Sequence, residues 1–359
     1  MSTPLYAIIL GHIIGGILLF GAGLIGGRLR QGSMNTTAFS FGPLGAKGFA
    51  FLNMLQLIGW TSIMIYDAML ALQELAPLSP MIWTIAIGAL VILWLFIGLH
   101  NTGYIQAIVS VLLLGLTLYM GVHMISQWPS DSSFMTNGNM SFIAALELSI
   151  AMPLSWLPLI SDYTRESKSP FSASLTSATI YTVTSVAMYT LGLSAAIFGG
   201  GDSIITIMMN AGLGLAGLIV IIFSTVTTTF MDAYSAGVSS TTIYNGASSK
   251  GVAVIVTIVG AIAAILYPMD DITEFLYLIG SVFAPMIAIL LADYFVNRQQ
   301  VQTLSAYLVR GLIWAIAVGL YHYMLHSESS IGATLPAFTI AFIVTSIVGF
   351  ISKTANTLL

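Results

Sequence analysis

The sequence contains many segments of about twenty residues that have almost no charged side chain. This feature constrains the fold more than any other. A helix needs about 20 mainly apolar residues to cross the hydrocarbon core of a bilayer. Because 57% of the residues are hydrophobic and only 6% are charged, a single water-soluble core could not bury this apolar surface. The sequence predicts an all-α membrane protein with eleven spans, near residues 5–27, 48–73, 80–99, 102–126, 140–161, 171–198, 211–240, 251–268, 272–296, 304–325 and 331–352.

The connections between the predicted spans are too short to hold a separate soluble domain. No low-complexity tract or long linker divides the chain, so residues 1–359 are predicted to form a single transmembrane domain. The sequence contains no cysteine, which excludes a disulfide framework and thiolate metal ligands. We expect no organic cofactor and no nucleic-acid partner, and we expect a monomer surrounded by membrane lipid.

Charged residues are segregated between the two ends of the predicted spans. All nine lysines and arginines lie at one end of the spans, here termed the basic face. The links at the other end, here termed the acidic face, contain acidic residues and no lysine or arginine. Since Lys and Arg collect in cytoplasmic loops, the basic face and the C-terminus are predicted to be cytoplasmic, in a multi-pass protein of the bacterial inner (plasma) membrane. An odd number of spans then places Met1 outside without an export signal, so we expect one further span upstream. The alternative is an eleven-span protein whose first hairpin inserts late. The basic residues are Arg28, Arg30, Lys47, Arg165, Lys168, Lys250, Arg298, Arg310 and Lys353, and the acids of the acidic face are Glu74, Asp131, Asp202, Asp270, Asp271 and Glu328.

One face of the predicted span 48–73 carries a stripe of polar and aromatic side chains. Its members recur at steps of three and four residues, the period of a helix face. Interhelical hydrogen bonding by the amides would account for such a stripe. We favour the alternative that the stripe forms the wall of a binding site, because an acid within a span needs a partner or water. The stripe comprises Asn53, Gln56, Trp60, Met64 and Asp67.

A cluster of hydroxyl side chains lies within the predicted span 211–240. Ser224, Thr227 and Thr228 are spaced at i, i+3 and i+4, so their oxygens can face one point, and neutral oxygens suit a monovalent cation such as sodium. The alternative is that each hydroxyl donates back to the carbonyl four residues earlier, as serine and threonine commonly do in helices. Asp232 lies one turn beyond Thr228 on nearly the same face, which favours a functional role.

The predicted span 140–161 contains two prolines, Pro153 and Pro158, with Trp156 between them and Glu147 before them. Each proline removes a backbone donor and clashes with the carbonyl four residues back. A helix broken at membrane depth exposes backbone groups that can bind a solute, as in many secondary transporters. A simple proline kink is the alternative. We expect a broken helix here.

Four stretches of the sequence resemble a known family. "SDYTRESKSP" (161–170) and "IGSVFAPMIAILLADYFVNR" (279–298) resemble the nucleobase:cation symporter family of cytosine, purine and hydantoin permeases. "LNMLQLIGWTSIMIYDA" (52–68) and "ALELSIAMPLSWLPLISDYTR" (145–165) are most similar to its CytX-type transporters, which are associated with hydroxymethylpyrimidine. The resemblance implies a LeuT-like inverted-repeat transporter fold of twelve helices. The family's first helix has no counterpart here, so eleven of the twelve are expected.

The resemblance also implies roles for residues that match the family's pattern. Trp60 takes the place of a stacking tryptophan on the third family helix, and Trp156 corresponds to a second stacking aromatic on the broken sixth helix. Met64 stands where the family often has an amide. Asp232 falls at or next to a substrate-contacting position. The cation site of the family is matched by Ser224, Thr227 and Thr228.

The predicted function is secondary active import of a pyrimidine-like heterocycle, hydroxymethylpyrimidine or a related thiamine precursor, coupled to sodium or protons. Two indoles can sandwich a planar ring, and Glu147 or Asp232 can accept a hydrogen bond from its exocyclic amine. A cytosine, purine or hydantoin permease of the same family is the alternative. The predicted substrate site comprises Asn53, Gln56, Trp60, Met64, Glu147, Trp156 and Asp232.

Two other classes of protein are disfavoured. An intramembrane enzyme could use "DDITE" (270–274) as a paired-acid metal site, but no second acidic motif faces it and solvated loop acids explain it more simply. A channel would also use hydroxyl linings, but the sequence has no repeated filter segment. We therefore expect neither an enzyme nor a channel.

Overall fold

The structure is a computed structural model that describes residues 2–126, 141–198, 214–327 and 331–357. Within these ranges it is entirely helical apart from the connections. Of the acids assigned to the acidic face, Asp131, Asp202 and Glu328 lie outside the described residues. The helices are α1 (Ser2–Leu29), α2 (Ser33–Thr36), α3 (Ala38–Leu75), α4 (Pro80–Ile97), α5 (Leu99–Ser126), α6 (Phe142–Thr164), α7 (Pro170–Phe198), α8 (Gly214–Ile243), α9 (Ser249–Leu266), α10 (Thr273–Leu291), α11 (Leu304–His326) and α12 (Thr334–Thr357), and a π-helical segment (Ala292–Asn297) continues α10.

Each predicted span overlaps one long helix of the structure. In the described part of the chain, ten helices are long and apolar enough to cross a membrane. The helix α7 is 29 residues long but is not among these ten, and its sequence is interrupted throughout by serine and threonine. That residues 1–359 form one domain, and that a further helix precedes α1, stay predictions.

The second span begins earlier than predicted, because α3 starts at Ala38 rather than near residue 48. Gly42 kinks this helix with φ 68° and ψ 178°, a backbone conformation that only glycine adopts without strain. Pro43 follows the kink and begins the long straight part of the helix, where its missing N–H is not needed. A Cβ atom at Gly42 would lie 2.7 Å from the Tyr307 ring, so close packing also requires glycine.

The helices pack in two groups. In one group α1 lies against α6 and α7; in the other α3 lies against α8 and α9, and α4 packs beside them. Glycines of α1 let its backbone approach α6 closely, since a Cβ at Gly15 would meet Pro153 at 2.6 Å and one at Gly26 would overlap with Ser161. The helices α10 and α12 pack together beside α6, and α11 packs on both.

The prediction of a broken helix at residues 140–161 is wrong. The helix α6 is continuous from Phe142 to Thr164 and carries both prolines inside it. Side chains of neighbouring helices supply donors to its carbonyl groups near these prolines: Gln56 donates to Ser155 O at 3.1 Å, and Tyr181 donates to Met152 O at 3.2 Å. These contacts hold the proline-containing part of α6 against α3 and α7, and the helix runs through both prolines without a gap.

Candidate functional site

The helix α8 presents a continuous polar face to α3 and α6. Steps of four, four, three and four residues place its polar side chains on one side of the helix. Ser239 at one end accepts a hydrogen bond from Asn53 at 2.9 Å, and Ser235 lies 3.2 Å from the hydroxyl of Tyr163 on α6. This face therefore points into the junction of the two helix groups. It comprises Ser224, Thr228, Asp232, Ser235 and Ser239.

Asp232 occupies the middle of this face and is 4% exposed. Among the described residues, none donates a hydrogen bond to its carboxyl group, although it interacts electrostatically with the phenols of Tyr163 and Tyr181. Burying an ionised carboxylate without a partner is costly. The group therefore calls for a proton, a cation or a hydrogen-bond donor that arrives from outside the protein.

The two stripe amides tie the helix groups together. The Nδ2 atom of Asn53 donates to Pro158 O at 3.3 Å as well as to Ser239. The Nε2 atom of Gln56 donates to Asn53 Oδ1 at 2.9 Å and to Ser155 O at 3.1 Å. Interhelical bonding, the alternative weighed for the stripe, is therefore present. The buried Oε1 atom of Gln56 has no hydrogen-bond partner among the described residues and keeps an acceptor available.

The antiparallel register of α3 and α8 places Trp60 level with Asp232. Asn53 contacts Ser239, and eleven residues further along α3 the sulfur of Met64 accepts from the Thr229 hydroxyl at 3.6 Å. Both helices rise by about 1.5 Å per residue, so residues between these contacts pair at matching heights. Trp60 then lies at the height of residues 232 and 233. Asp67, the last member of the stripe, is exposed one turn beyond Met64.

The two tryptophans belong to the apolar centre of the molecule without touching each other's rings. Trp60 is 8% exposed and packs edge-on against Phe275, with ring centroids 5.5 Å apart. Trp156 is partly buried and its ring lies 5.8 Å from that of Tyr181. Both indoles pack against the same apolar cluster. Each therefore already has an aromatic neighbour against which a planar solute could be held.

The hydroxyls assigned to a cation make back-bonds in the structure. Thr227 Oγ1 and Thr228 Oγ1 each donate to the carbonyl of Ser224 at 2.9 Å. This geometry is the back-bonding alternative. A hydroxyl that donates still has oxygen lone pairs to offer, so a cation role for these oxygens stays a prediction.

Glu147 caps a helix rather than standing free. The backbone N–H of Thr334, the first residue of α12, lies 3.1 Å from Oε1 and 2.9 Å from Oε2 of Glu147, and the Thr334 hydroxyl donates to Oε2 as well. A carboxylate at a helix N-terminus satisfies unpaired N–H groups and complements the helix dipole. Of the two acids proposed to bind an amine, Asp232 is the one whose acceptor oxygens remain available.

Two tyrosines and one acid near the site were not singled out from the sequence. Tyr163 donates to Met231 O at 2.9 Å and so joins α6 to α8, and Tyr181 contacts Trp156. Asp162 accepts from Ser33 N at 2.8 Å and fixes the short helix α2. Asp162 and Tyr163 lie in the segment "SDYTR" (161–165), and an acid directly after a predicted span could have pointed to them. Tyr181 lies in an ordinary apolar helix pattern, so no feature of the sequence pointed to it.

The acids of "DDITE" are accounted for by local contacts. The Tyr66 hydroxyl donates to Asp270 at 3.2 Å. The backbone N–H of Thr273 donates to Asp271 Oδ1 at 2.9 Å, and this hydrogen bond lowers the pKa of Asp271. These contacts match the interpretation of the pair as loop acids at the start of α10.

Comparison with known proteins gives matches among solved structures only. No protein-family model and no curated protein sequence matches the chain. Mhp1, a nucleobase-cation-symport-1 family transporter, in a closed conformation with bromovinylhydantoin bound, matches with a TM-score of 0.82 and 18% identity over 98% of this chain and 86% of that chain. Its inward-facing conformation matches with a TM-score of 0.76 and 17% identity over 98% and 84% of the two chains. A Na⁺-coupled sialic acid symporter in a substrate-bound, outward-open state matches with a TM-score of 0.72 and 16% identity. The match covers 99% of this chain and 86% of that chain.

This chain has the LeuT-like transporter fold. The predicted fold class is confirmed, since an all-helical chain with ten candidate spans superposes on transporters over nearly its whole length. The structurally similar proteins are transporters and not enzymes. At 16 to 18% identity, the likeness establishes the fold and leaves substrate and coupling ion to be argued from the residues.

Proposed function

We propose that this chain is a cation-coupled secondary transporter that imports a planar, amine-bearing heterocycle into the bacterial cell. The observation that carries the proposal is Asp232, a buried carboxyl group to which none of the described residues donates a hydrogen bond, level with Trp60 in the junction of two helix groups. An arriving amine would supply this donor. A site with an unfilled acceptor rejects analogues that lack the matching donor.

The remaining site residues suit the faces and edges of a ring. Trp60 and Trp156 offer indole surfaces, each stacking contact being worth about 1 to 3 kcal/mol by analogy with aromatic contacts to bases. The Oε1 atom of Gln56, which has no hydrogen-bond partner among the described residues, offers a neutral acceptor in addition to Asp232. An aminopyrimidine such as hydroxymethylpyrimidine, the substrate associated with the CytX-type transporters that the sequence resembles, combines a stackable ring with an exocyclic amine.

A second candidate substrate class is supported by a structural neighbour. Mhp1 is bound to a hydantoin in the conformation that matches with a TM-score of 0.82. A hydantoin ring presents amide N–H groups and no amine, so its binding site would need a hydrogen-bond acceptor but not a charged one. A cytosine, purine or hydantoin permease is therefore the runner-up.

The coupling ion is proposed to be sodium or a proton. The sialic acid symporter is Na⁺-coupled. The hydroxyl oxygens of Ser224, Thr227 and Thr228 are the candidate ligands for sodium, and Asp232 is the candidate carrier of a proton. The segregation of lysine and arginine supports a cytoplasmic basic face.

A ligand panel on purified variants tests the substrate proposal. Asp232→Asn removes a charged acceptor and should weaken aminopyrimidines by about 1.5 to 3 kcal/mol while leaving analogues without the amine nearly unchanged. Glu147→Gln is the matched control, because it makes the same chemical change at the α12 cap; it should lower thermal stability and not alter the preference for the amine. Equal losses for amine and non-amine ligands in Asp232→Asn would contradict the proposal.

A further inference from the structure

A cavity lies at the basic face, away from the candidate substrate site. Its volume is about 360 Å³, within the roughly 300–1,000 Å³ of cavities that hold small molecules. The ends of α4 and α6, the second half of α8 and the first turn of α9 surround it. Its polar lining includes Arg165, Lys250, Thr241 and Ser249.

The cavity and the substrate site use opposite sides of α8. Phe230 and Tyr234 line the cavity, and Asp232 lies midway between them along the helix. Two residues along an α-helix correspond to about 200° of rotation, so Asp232 faces away from the cavity. Whatever binds in the cavity therefore does not share the surface that faces Asp232.

Among the residues that the structure describes, acids pair with only one of the two cations of the cavity, Arg165. Lys250 is exposed, and its ammonium contacts the Phe96 carbonyl at 3.4 Å and lies 5.2 Å from the centre of the Phe96 ring. Arg165 pairs with the exposed Glu166 through Nε at 3.2 Å and also interacts with the charge of Asp162. Lys250 consequently brings an excess positive charge, flanked by the hydroxyls of Thr241 and Ser249 and by the first turn of α9, an end that favours anions.

Apolar surface continues from this charged cavity along the membrane. Leu95, Phe230, Val238 and Ala253 form its apolar wall. Beside it, α4 exposes Leu93 and Phe96, with 55% and 60% of their surface accessible, and α9 exposes Ile255 with 60% accessible. A free anion would use only the polar part of this arrangement, whereas an amphiphile would use both.

We propose that this cavity binds the phosphate headgroup of an anionic phospholipid, with the acyl chains lying along α4 and α9. Lys250 and the outer nitrogens of Arg165 contact the phosphate, and the hydroxyl of Ser249 donates to one of its oxygens or to the headgroup. Basic pockets between helices at the cytoplasmic side of a membrane are the places where such headgroups bind. The lipid would tie the end of α6 to α4 and α9 from outside the substrate site.

Titration of the detergent-purified chain with lipid tests this proposal. The probes are short-chain phosphatidylglycerol, phosphatidylcholine with the same tails, and inorganic phosphate, and the readouts are thermal stability and the bound lipid counted by native mass spectrometry. Phosphatidylglycerol should stabilise the wild type at concentrations where the other two do not. Lys250→Gln should weaken this response about five-fold, the effect of one basic residue at a membrane surface, and Lys250→Glu should weaken it further.

Lys168 provides the matched control, because it is an exposed lysine at the same basic face outside the cavity. Lys168→Gln and Lys168→Glu should leave the response unchanged. An acid in the first turn of α9 is favourable for a helix, so Lys250→Glu should fold, and the stability of each variant without lipid verifies this. Equal losses in the Lys168 variants would overturn the proposal in favour of diffuse surface charge. Equal stabilisation by phosphatidylcholine, or by inorganic phosphate, would overturn it in favour of unspecific lipid or a soluble anion.

Discussion

In the proposed site, Asp232 and Trp60 divide the recognition of a ring between an edge contact and a face contact. We propose that the carboxyl group binds one substituent, while the indole accepts any flat ring of suitable size. Their shared height in the membrane was not evident from the sequence, because it depends on the register of α3 against α8, which the contacts of Asn53 and Met64 establish.

Trp60 should contribute to affinity without contributing to selectivity. Trp60→Ala is expected to weaken the binding of several heterocycles alike, by about 1 to 3 kcal/mol, because stacking is indifferent to edge groups. Trp60→Phe should cause a smaller loss of affinity, since an aromatic face of reduced size remains. Isothermal titration with amine-bearing and amine-free ligands measures both effects. Unchanged affinities in Trp60→Ala would mean that the ring packs on Phe275 only as part of the core.

Variants at Thr227 and Thr228 distinguish two roles of their hydroxyls, sodium binding and hydrogen bonding to the Ser224 carbonyl. Valine at either position keeps the side-chain shape and removes the hydroxyl oxygen, so the dependence of substrate affinity on sodium concentration should weaken. The measurement is substrate binding at a series of sodium concentrations with constant ionic strength. If both valine variants keep the wild-type sodium dependence, the hydroxyls serve only the Ser224 carbonyl, and proton coupling is favoured.

At the scale of helices, apolar length and spacing were readable from the sequence, whereas the behaviour of proline was not. The eleven predicted spans overlap eleven long helices because a membrane imposes a length on each apolar run. The continuity of α6 was mispredicted, because a proline inside a helix is compatible with a kink as well as with a break. The side chains that hold this part of α6, Gln56 and Tyr181, come from helices distant in sequence. The role of Glu147 depends in the same way on Thr334, 187 residues away.

The segment "ADYFVNR" (292–298) joins α10 to α11 through a buried ion pair. Arg310 donates to Asp293 through Nε at 3.3 Å and through Nη2 at 3.0 Å, and Asn297 donates to Asp293 at 2.9 Å. The side chains of Asp293 and Arg310 are 0% and 6% exposed. The sequence analysis identified the segment that contains Asp293, but it did not predict that Arg310 pairs with this residue.

Removing one member of this pair should be strongly destabilising. Arg310→Met leaves the Asp293 carboxylate buried without its cation, a change that costs about 3 to 5 kcal/mol. The double variant Asp293→Asn with Arg310→Met removes both charges and should recover much of that loss. Thermal unfolding in detergent measures the three proteins. A single variant as stable as the wild type would show that the pair contributes nothing to the packing of α10 on α11.

At the scale of the whole molecule, the two helix groups meet through hydrogen bonds that gather in the half of the membrane nearer the basic face. Asn53 and Gln56 bind carbonyls of α6, and Tyr163 binds a carbonyl of α8. In LeuT-like transporters the solute is held where two helix groups meet, and the groups move against each other there. The fold could be predicted from span count and motifs, but this junction required the structure.

Gradient-driven uptake into proteoliposomes tests the central claim, that the chain is a cation-coupled transporter of an amine-bearing heterocycle. Labelled aminopyrimidine is supplied outside vesicles that contain the purified chain, with an imposed inward sodium gradient, an inward proton gradient, or neither. The account predicts saturable accumulation above the external concentration with one of the two gradients, its collapse when an ionophore dissipates that gradient, and its loss in Asp232→Asn. Equilibration that no gradient raises above the external concentration, or accumulation that Asp232→Asn leaves intact, would contradict it.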